Sequence, residues 1–138
     1  YKPVVKVPQN GTYTYNYFVK LEMRDKSGKL LSDNLYWYYS QHMDFFWFST
    51  MEKPTLNTSY EVVKDDREYE VTVRLKNESK RLSFFNRMAL TDAQGEEINP
   101  VFWSDNYISL FPGEEKEVKA RVAVSDAGGV NPKIVIVP

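Results

Sequence analysis

The chain has no cysteine and a single histidine, His42. The missing cysteines exclude a disulfide, a thiolate metal site and a cysteine nucleophile, and they leave the redox compartment unmarked. A lone histidine without cysteine partners does not make a zinc set or a catalytic triad, so His42 reads as a loop or interface residue. An excess of one charge is also missing: 18 basic residues face 19 acidic ones, for a formal net charge of -1. That balance gives no electrostatic reason to expect nucleic acid or an anionic membrane surface. Wholly apolar runs stop at about four residues, as in Phe45 to Phe48, against the roughly 20 of a membrane helix. The opening YKPVVKVPQNG has no apolar core and does not read as a signal peptide; a start at Tyr1 suggests a processed or excised fragment. No stretch of about 12 residues carries a convincing helical stripe.

What is present is ordinary globular composition, 42% hydrophobic and 27% charged, in 138 residues. That length suits one domain, taken as residues 1–138, with 1–11 as a linker or first edge strand. Period-two alternation dominates. Tyr13, Tyr15, Tyr17, Val19, Leu21 and Met23 share one face; Tyr69, Val71, Val73 and Leu75 share another; Val118, Ala120, Val122 and Val124 a third. Phe84, Met88 and Leu90 repeat the pattern loosely, and Ile134 to Val137 form a short apolar strand. Turn chemistry separates the runs, at Asn10-Gly11, Lys26-Ser27-Gly28, Asn77-Glu78-Ser79, Ala93-Gln94-Gly95, Pro112-Gly113 and Gly128-Gly129. About seven to eight short strands with frequent turns predict an all-β, immunoglobulin-like antiparallel β-sandwich. Ser40 to Asp66 breaks the pattern and reads as a long connection with a role of its own.

Three patches carry more specific information. Asn99 to Glu117, NPVFWSDNYISLFPGEEKE, takes an apolar strand into Ser-Asp-Asn, then an aromatic, then Leu-x-Pro-Gly-Glu. Gly28 and the SDNLYWYYS after it form a second patch, and VTVRLKNESKRLSFFNRMALTD, Val71 to Asp92, a third. In order and spacing these patches, within Val19 to Val124, resemble the C-terminal immunoglobulin-like domain of family 2 glycoside hydrolases, in the exo-β-glucosaminidase and β-mannosidase group. The WSDNY wording and the Tyr-Trp element are nearer the glucosaminidase branch. The tail at Ile134 to Pro138 departs from the family's usual ending. The resemblance implies an accessory domain of a retaining, sugar-cleaving enzyme, with other domains of the same polypeptide as its partners. It also implies a secreted or periplasmic parent, although no residue here encodes an address.

Such a parent needs two carboxylates a few ångströms apart. In the resembled family these are two glutamates on a (β/α)8 barrel, the proton donor directly after an asparagine. Asn77-Glu78 repeats that dipeptide, but it sits in a polar turn, and a barrel needs roughly 250 residues. The fragment is therefore expected to have no catalytic residue, cofactor or metal. The pairs Asp65-Asp66, Glu96-Glu97 and Glu114-Glu115 follow no calcium-loop spacing and read as solvated turns.

Asp105-Asn106 follows an apolar strand end and suits a sandwich corner, fixed by side-chain bonds to nearby backbone. The same corner could face a neighbouring domain, which makes Trp103, Asp105, Asn106 and Tyr107 candidate interdomain or pocket-edge residues. Phe46 and Trp47 join them, because neighbours in Phe45 to Phe48 cannot all point inward along a strand. Trp37 is expected in the core. Two rival roles remain: a free-standing carbohydrate-binding module using exposed Tyr and Trp, and an adhesive spacer domain.

Overall fold

The computed structural model describes residues 17–38 and 46–137, without the side chains of Tyr17, Phe46 and Trp47. The expectations for Tyr13, Tyr15, Asn10-Gly11, residues 1–11, His42 and Phe45 therefore lie outside the described residues. The chain divides into two compact units, Tyr1–Met51 and Glu52–Pro138.

In the first unit, β1 (Tyr17–Arg24) and β2 (Leu30–Tyr38) form an antiparallel ribbon. The tight turn comes from Asp25, whose carboxylate accepts from the Ser27 amide at 2.8 Å and the Lys29 amide at 3.0 Å, while Gly28 takes φ 87. The Ser27 hydroxyl, which donates to the same carboxylate at 2.6 Å, and then these amides favour the ionised acid and hold the Asp25 carboxyl below its ordinary value. One helical turn, α1 (Phe46–Ser49), follows, with Phe48 meeting Phe18 edge-on at 5.8 Å. The expected burial fails on this ribbon: Trp37 is 43% exposed, and Leu21 and Met23 are about half exposed. Alternation reports that a strand has two unlike sides. Burial needs a second layer, and among this unit's described residues only α1 stands beside the ribbon.

The second unit is an immunoglobulin-like sandwich. One sheet has the order β3-β4-β8-β6 and the other β7-β5-β9. Their strands are β3 (Asn57–Lys64), β4 (Glu68–Lys76), β5 (Ser83–Thr91), β6 (Phe102–Trp103), β7 (Ile108–Leu110), β8 (Glu115–Ala123) and β9 (Lys133–Val137). Nine strands are thus described in all, against the seven to eight expected; β6 and β7 are too short to show a period. β3 also lies inside the stretch read as a loop, because NTSYEVVK mixes polar residues into both of its faces, as an edge strand can.

The core follows the alternation closely. Tyr69, Val71, Val73 and Leu75 of β4 are fully buried, as are Val118 and Ala120 of β8, with Val122 only 1% exposed. Met88, Leu90, Ile108 and Leu110 close on them from the other sheet. Burial of these aliphatic groups, worth roughly 1.5–3 kcal/mol for each large side chain, is the main favourable term in the fold. Tyr69 brings one cost, since its hydroxyl is buried with no hydrogen-bond partner.

Two turns explain why the sequence patches look as they do. In Phe111-Pro112-Gly113-Glu114 the Glu114 amide donates to the Phe111 carbonyl at 3.0 Å, and Gly113 has φ 80. That is a type II turn, with proline presetting the first central residue and glycine supplying the positive φ of the second. The Glu114 carboxylate then accepts from the Phe111 amide at 2.9 Å. At Asn77 the side chain is wholly buried. Its amide donates to the carbonyls of Arg81 and Leu110 at 2.7 and 2.8 Å, and its oxygen accepts from the Ser79 amide. Asn77 therefore ties the end of β4 to β7 across the sandwich, while Glu78 pairs outside with Lys76 at 3.2 Å. The Asn-Glu dipeptide is structural.

Candidate functional site

Strand β5 carries a bulge. Ser83 opposes Leu110 and Asn86 opposes Ile108, so Phe84 and Phe85 together face Ser109. Ser83 and Asn86, rather than Phe84, take the buried positions there, which is where the loose alternation of this strand misled. Phe85 has φ 58 and Tyr107, beyond the start of β7, has φ 55. A bulky side chain in the left-handed region costs of order 1–2 kcal/mol, so the surrounding structure must hold both residues there. Their rings pack at 5.1 Å with a 39° tilt, and Phe84 adds a third ring 5.6 Å from Phe85. Phe85 is 44% and Tyr107 50% exposed.

Asn106 is what places Tyr107. The register of β5 and β7 puts residue 106 opposite Met88, beyond the last paired residue of β7. There the side chain replaces the backbone ladder: Asn106 Nδ2 donates to the Met88 carbonyl at 2.9 Å, and its Oδ1 accepts from the Met88 amide at 2.7 Å. The same oxygen accepts from the Tyr107 amide at 2.8 Å. Asp105 accepts from the Asn106 amide at 2.8 Å and pairs with Lys116. The corner inferred from the sequence is real, and its bonds are those that Asx residues make in place of backbone.

The other sequence candidates separate. Trp103 opposes Ala120 and packs against the core, while its neighbour Phe102 points the opposite way and is 66% exposed. Phe46 and Trp47 lie in α1, and their side chains are outside the description. Asp105, Asn106 and Tyr107 come together with Phe85 and Arg87, neither of which the sequence flagged. The doubled Phe84-Phe85 was the available signal, since two successive outward rings require a bulge.

Arg87 and Glu97 complete the surface. The two guanidinium nitrogens meet the two carboxylate oxygens, one at 2.7 Å. The Glu97 carboxylate, with a smaller push from Tyr107, raises Arg87 above its ordinary pKa, and the Arg87 bonds hold Glu97 below its own. Asp65 is held low in the same sense by amides of Glu68 and Arg67, so it caps a turn. Among the described residues no three acidic or histidine side chains are placed to hold a metal ion. The apolar cleft between the edges of β3 and β9, about 420 Å³, is lined by residues such as Leu56, Tyr60, Asn86, Ile134 and Ile136 and, among the described residues, by no carboxylate. No helix among the described residues is long and apolar enough to cross a membrane.

Known proteins agree with this architecture. The sequence model of the exo-β-D-glucosaminidase Ig-fold domain matches residues 34–138. An exo-β-D-glucosaminidase of Arthroderma benhamiae is 32% identical over 117 residues, covering 73% of this chain and 13% of the relative. One from Amycolatopsis orientalis is 29% identical over 151 residues, covering 94% of this chain and 15% of the relative. The crystal structure of Amycolatopsis orientalis exo-chitosanase CsxA superposes with a TM-score of 0.80 at 27% identity, over 96% of this chain and 18% of that one. The chain thus spans less than a fifth of the proteins it matches. It belongs to the exo-β-D-glucosaminidase Ig-fold domain family.

Proposed function

We propose that the chain is the non-catalytic accessory sandwich of a family 2 glycoside hydrolase with exo-β-D-glucosaminidase activity. In this reading residues 1–138 work as one domain, pack against the catalytic barrel, and use the Asp105–Tyr107 corner to help wall its entrance. The observation that carries it is the family match over 34–138, which crosses both units and falls within relatives many times longer. The parent's proton donor and nucleophile would both sit in the barrel and cleave a terminal β-linked aminosugar with retention. A β-mannosidase parent is the finer alternative, less favoured because the relatives carry the glucosaminidase name.

Two assays test this. The purified chain should release no nitrophenol from an aryl β-D-glucosaminide, whereas the whole polypeptide should; turnover by the chain alone contradicts the reading. Asp105→Ala in the whole polypeptide should raise KM in the folded fraction. If KM stays unchanged and only stability falls, the corner is purely structural.

The carbohydrate-module reading draws on the half-exposed rings of Phe85 and Tyr107. Titration of the chain with chitosan and mannan oligosaccharides decides it, with millimolar or tighter binding in its favour. A spacer domain would present a polar surface, and the aromatic ledge speaks against it.

A further inference from the structure

The two outward faces of the sandwich differ in kind. On β3-β4-β8 charges alternate in sign and are matched: Arg74 meets Glu61 at 2.9 Å and Glu117 at 3.0 Å, and Lys119 meets Glu70 at 3.0 Å. Exposed apolar groups there, Val63 and Phe102, stand singly on opposite edge strands. On β7-β5-β9 the register sets Tyr107, Arg87 and Val137 in one row and Ala89 with Val135 in the next. Tyr107, Phe85, Val135 and Val137 are each 41–50% exposed. Arg87 in this row is engaged with Glu97, which stands opposite Thr91, and Lys133 lies across from Thr91 at the far end of the same face.

Resting on the accessory-domain reading, we propose that this face, centred on Tyr107 and Phe85 and continued by Val135 and Val137, docks on an apolar surface of the remainder of the same polypeptide. Three observations converge. The rings are fixed on this face by the bulge and by Asn106, in left-handed conformations that a turn would ordinarily give to glycine. Half-exposed apolar groups on either side of a mutually satisfied ion pair suit an interface, whereas the opposite face, with its alternating charges, is built for water. The chain spans 13–18% of the length of its relatives, so a large partner on the same chain is available to cover the patch. Docking through Tyr107 would also bring the Asp105–Asn106 corner to the rim of that contact.

The test compares amide exchange in the whole polypeptide and in the 138-residue chain alone. Amides of β5, β7 and β9 should exchange at least about tenfold more slowly in the whole polypeptide. Val137→Lys, and separately Tyr107→Gly, should abolish that difference; Thr72→Lys, on the charged face, should preserve it. Measuring each variant in the chain alone separates lost docking from lost folding. If wild-type exchange is identical in both, the accessory-domain reading fails and the inference with it. If a difference exists but only Thr72→Lys removes it, the domain docks and the proposed face is wrong. Protection of the same amides in the chain alone by a glucosamine oligomer would also overturn the proposal, in favour of a sugar platform.

Discussion

The outward side of β3-β4-β8 and the outward side of β7-β5-β9 share one core yet were shaped by different demands. The first alternates acids and bases across strands, as in Glu61–Arg74–Glu117. The second gathers Phe85, Tyr107, Val135 and Val137 around one closed ion pair. Inward positions tell the two sheets apart very little, since both need aliphatic groups to exclude water. The outward positions are where a surface meant for solvent parts from one meant for a neighbour.

The largest effect should come from removing what joins the two faces. Asn77→Ala leaves the carbonyls of Arg81 and Leu110 and the amide of Ser79 without their partner, so unfolding free energy should fall by ~3 kcal/mol. Denaturant titration would show it, with both sheets melting together. Asn106→Ala should cost about 2 kcal/mol by orphaning Met88, with exchange rising in β5 and β7 before β4. Equal loosening of both sheets would erase the distinction drawn here.

Smaller changes sharpen it. Tyr69→Phe removes a buried hydroxyl without a partner and should stabilise the fold by ~1 kcal/mol, seen as a raised Tm. Lys119→Ala, on the charged face, should shift stability by less than about 0.5 kcal/mol, because exposed pairs contribute little. Glu97 gives the subtlest signal. Its folded pKa is lowered, so its contribution is complete above the ordinary carboxylate value of about 4.3 and is lost as pH falls through the lowered value. Glu97→Gln should lower stability slightly at neutral pH and flatten the acid limb, so that the two stability curves converge below the lowered value.

The sandwich was legible in the sequence because Tyr69 to Leu75 and Val118 to Val122 alternate without interruption, and every one of these predicted inward residues is buried. The Asp105–Asn106 corner was legible because Asx chemistry is local. Trp37 was misplaced because aromatic alternation does not say whether a second layer covers it. Phe85 was missed because a bulge is a property of two strands, and its partner Ser109 lies 24 residues away. Arg87 and Glu97 meet across a turn for the same reason, and nothing about either residue alone signals the pair.

Hydroxyl-radical footprinting of Tyr107 and Phe102 tests the central claim most directly, since the two rings lie on opposite sides of the sandwich and are both well exposed in the chain alone. In the whole polypeptide Tyr107 labelling should drop several-fold while Phe102 labelling persists. Protection of Phe102 with Tyr107 still labelled would contradict the account.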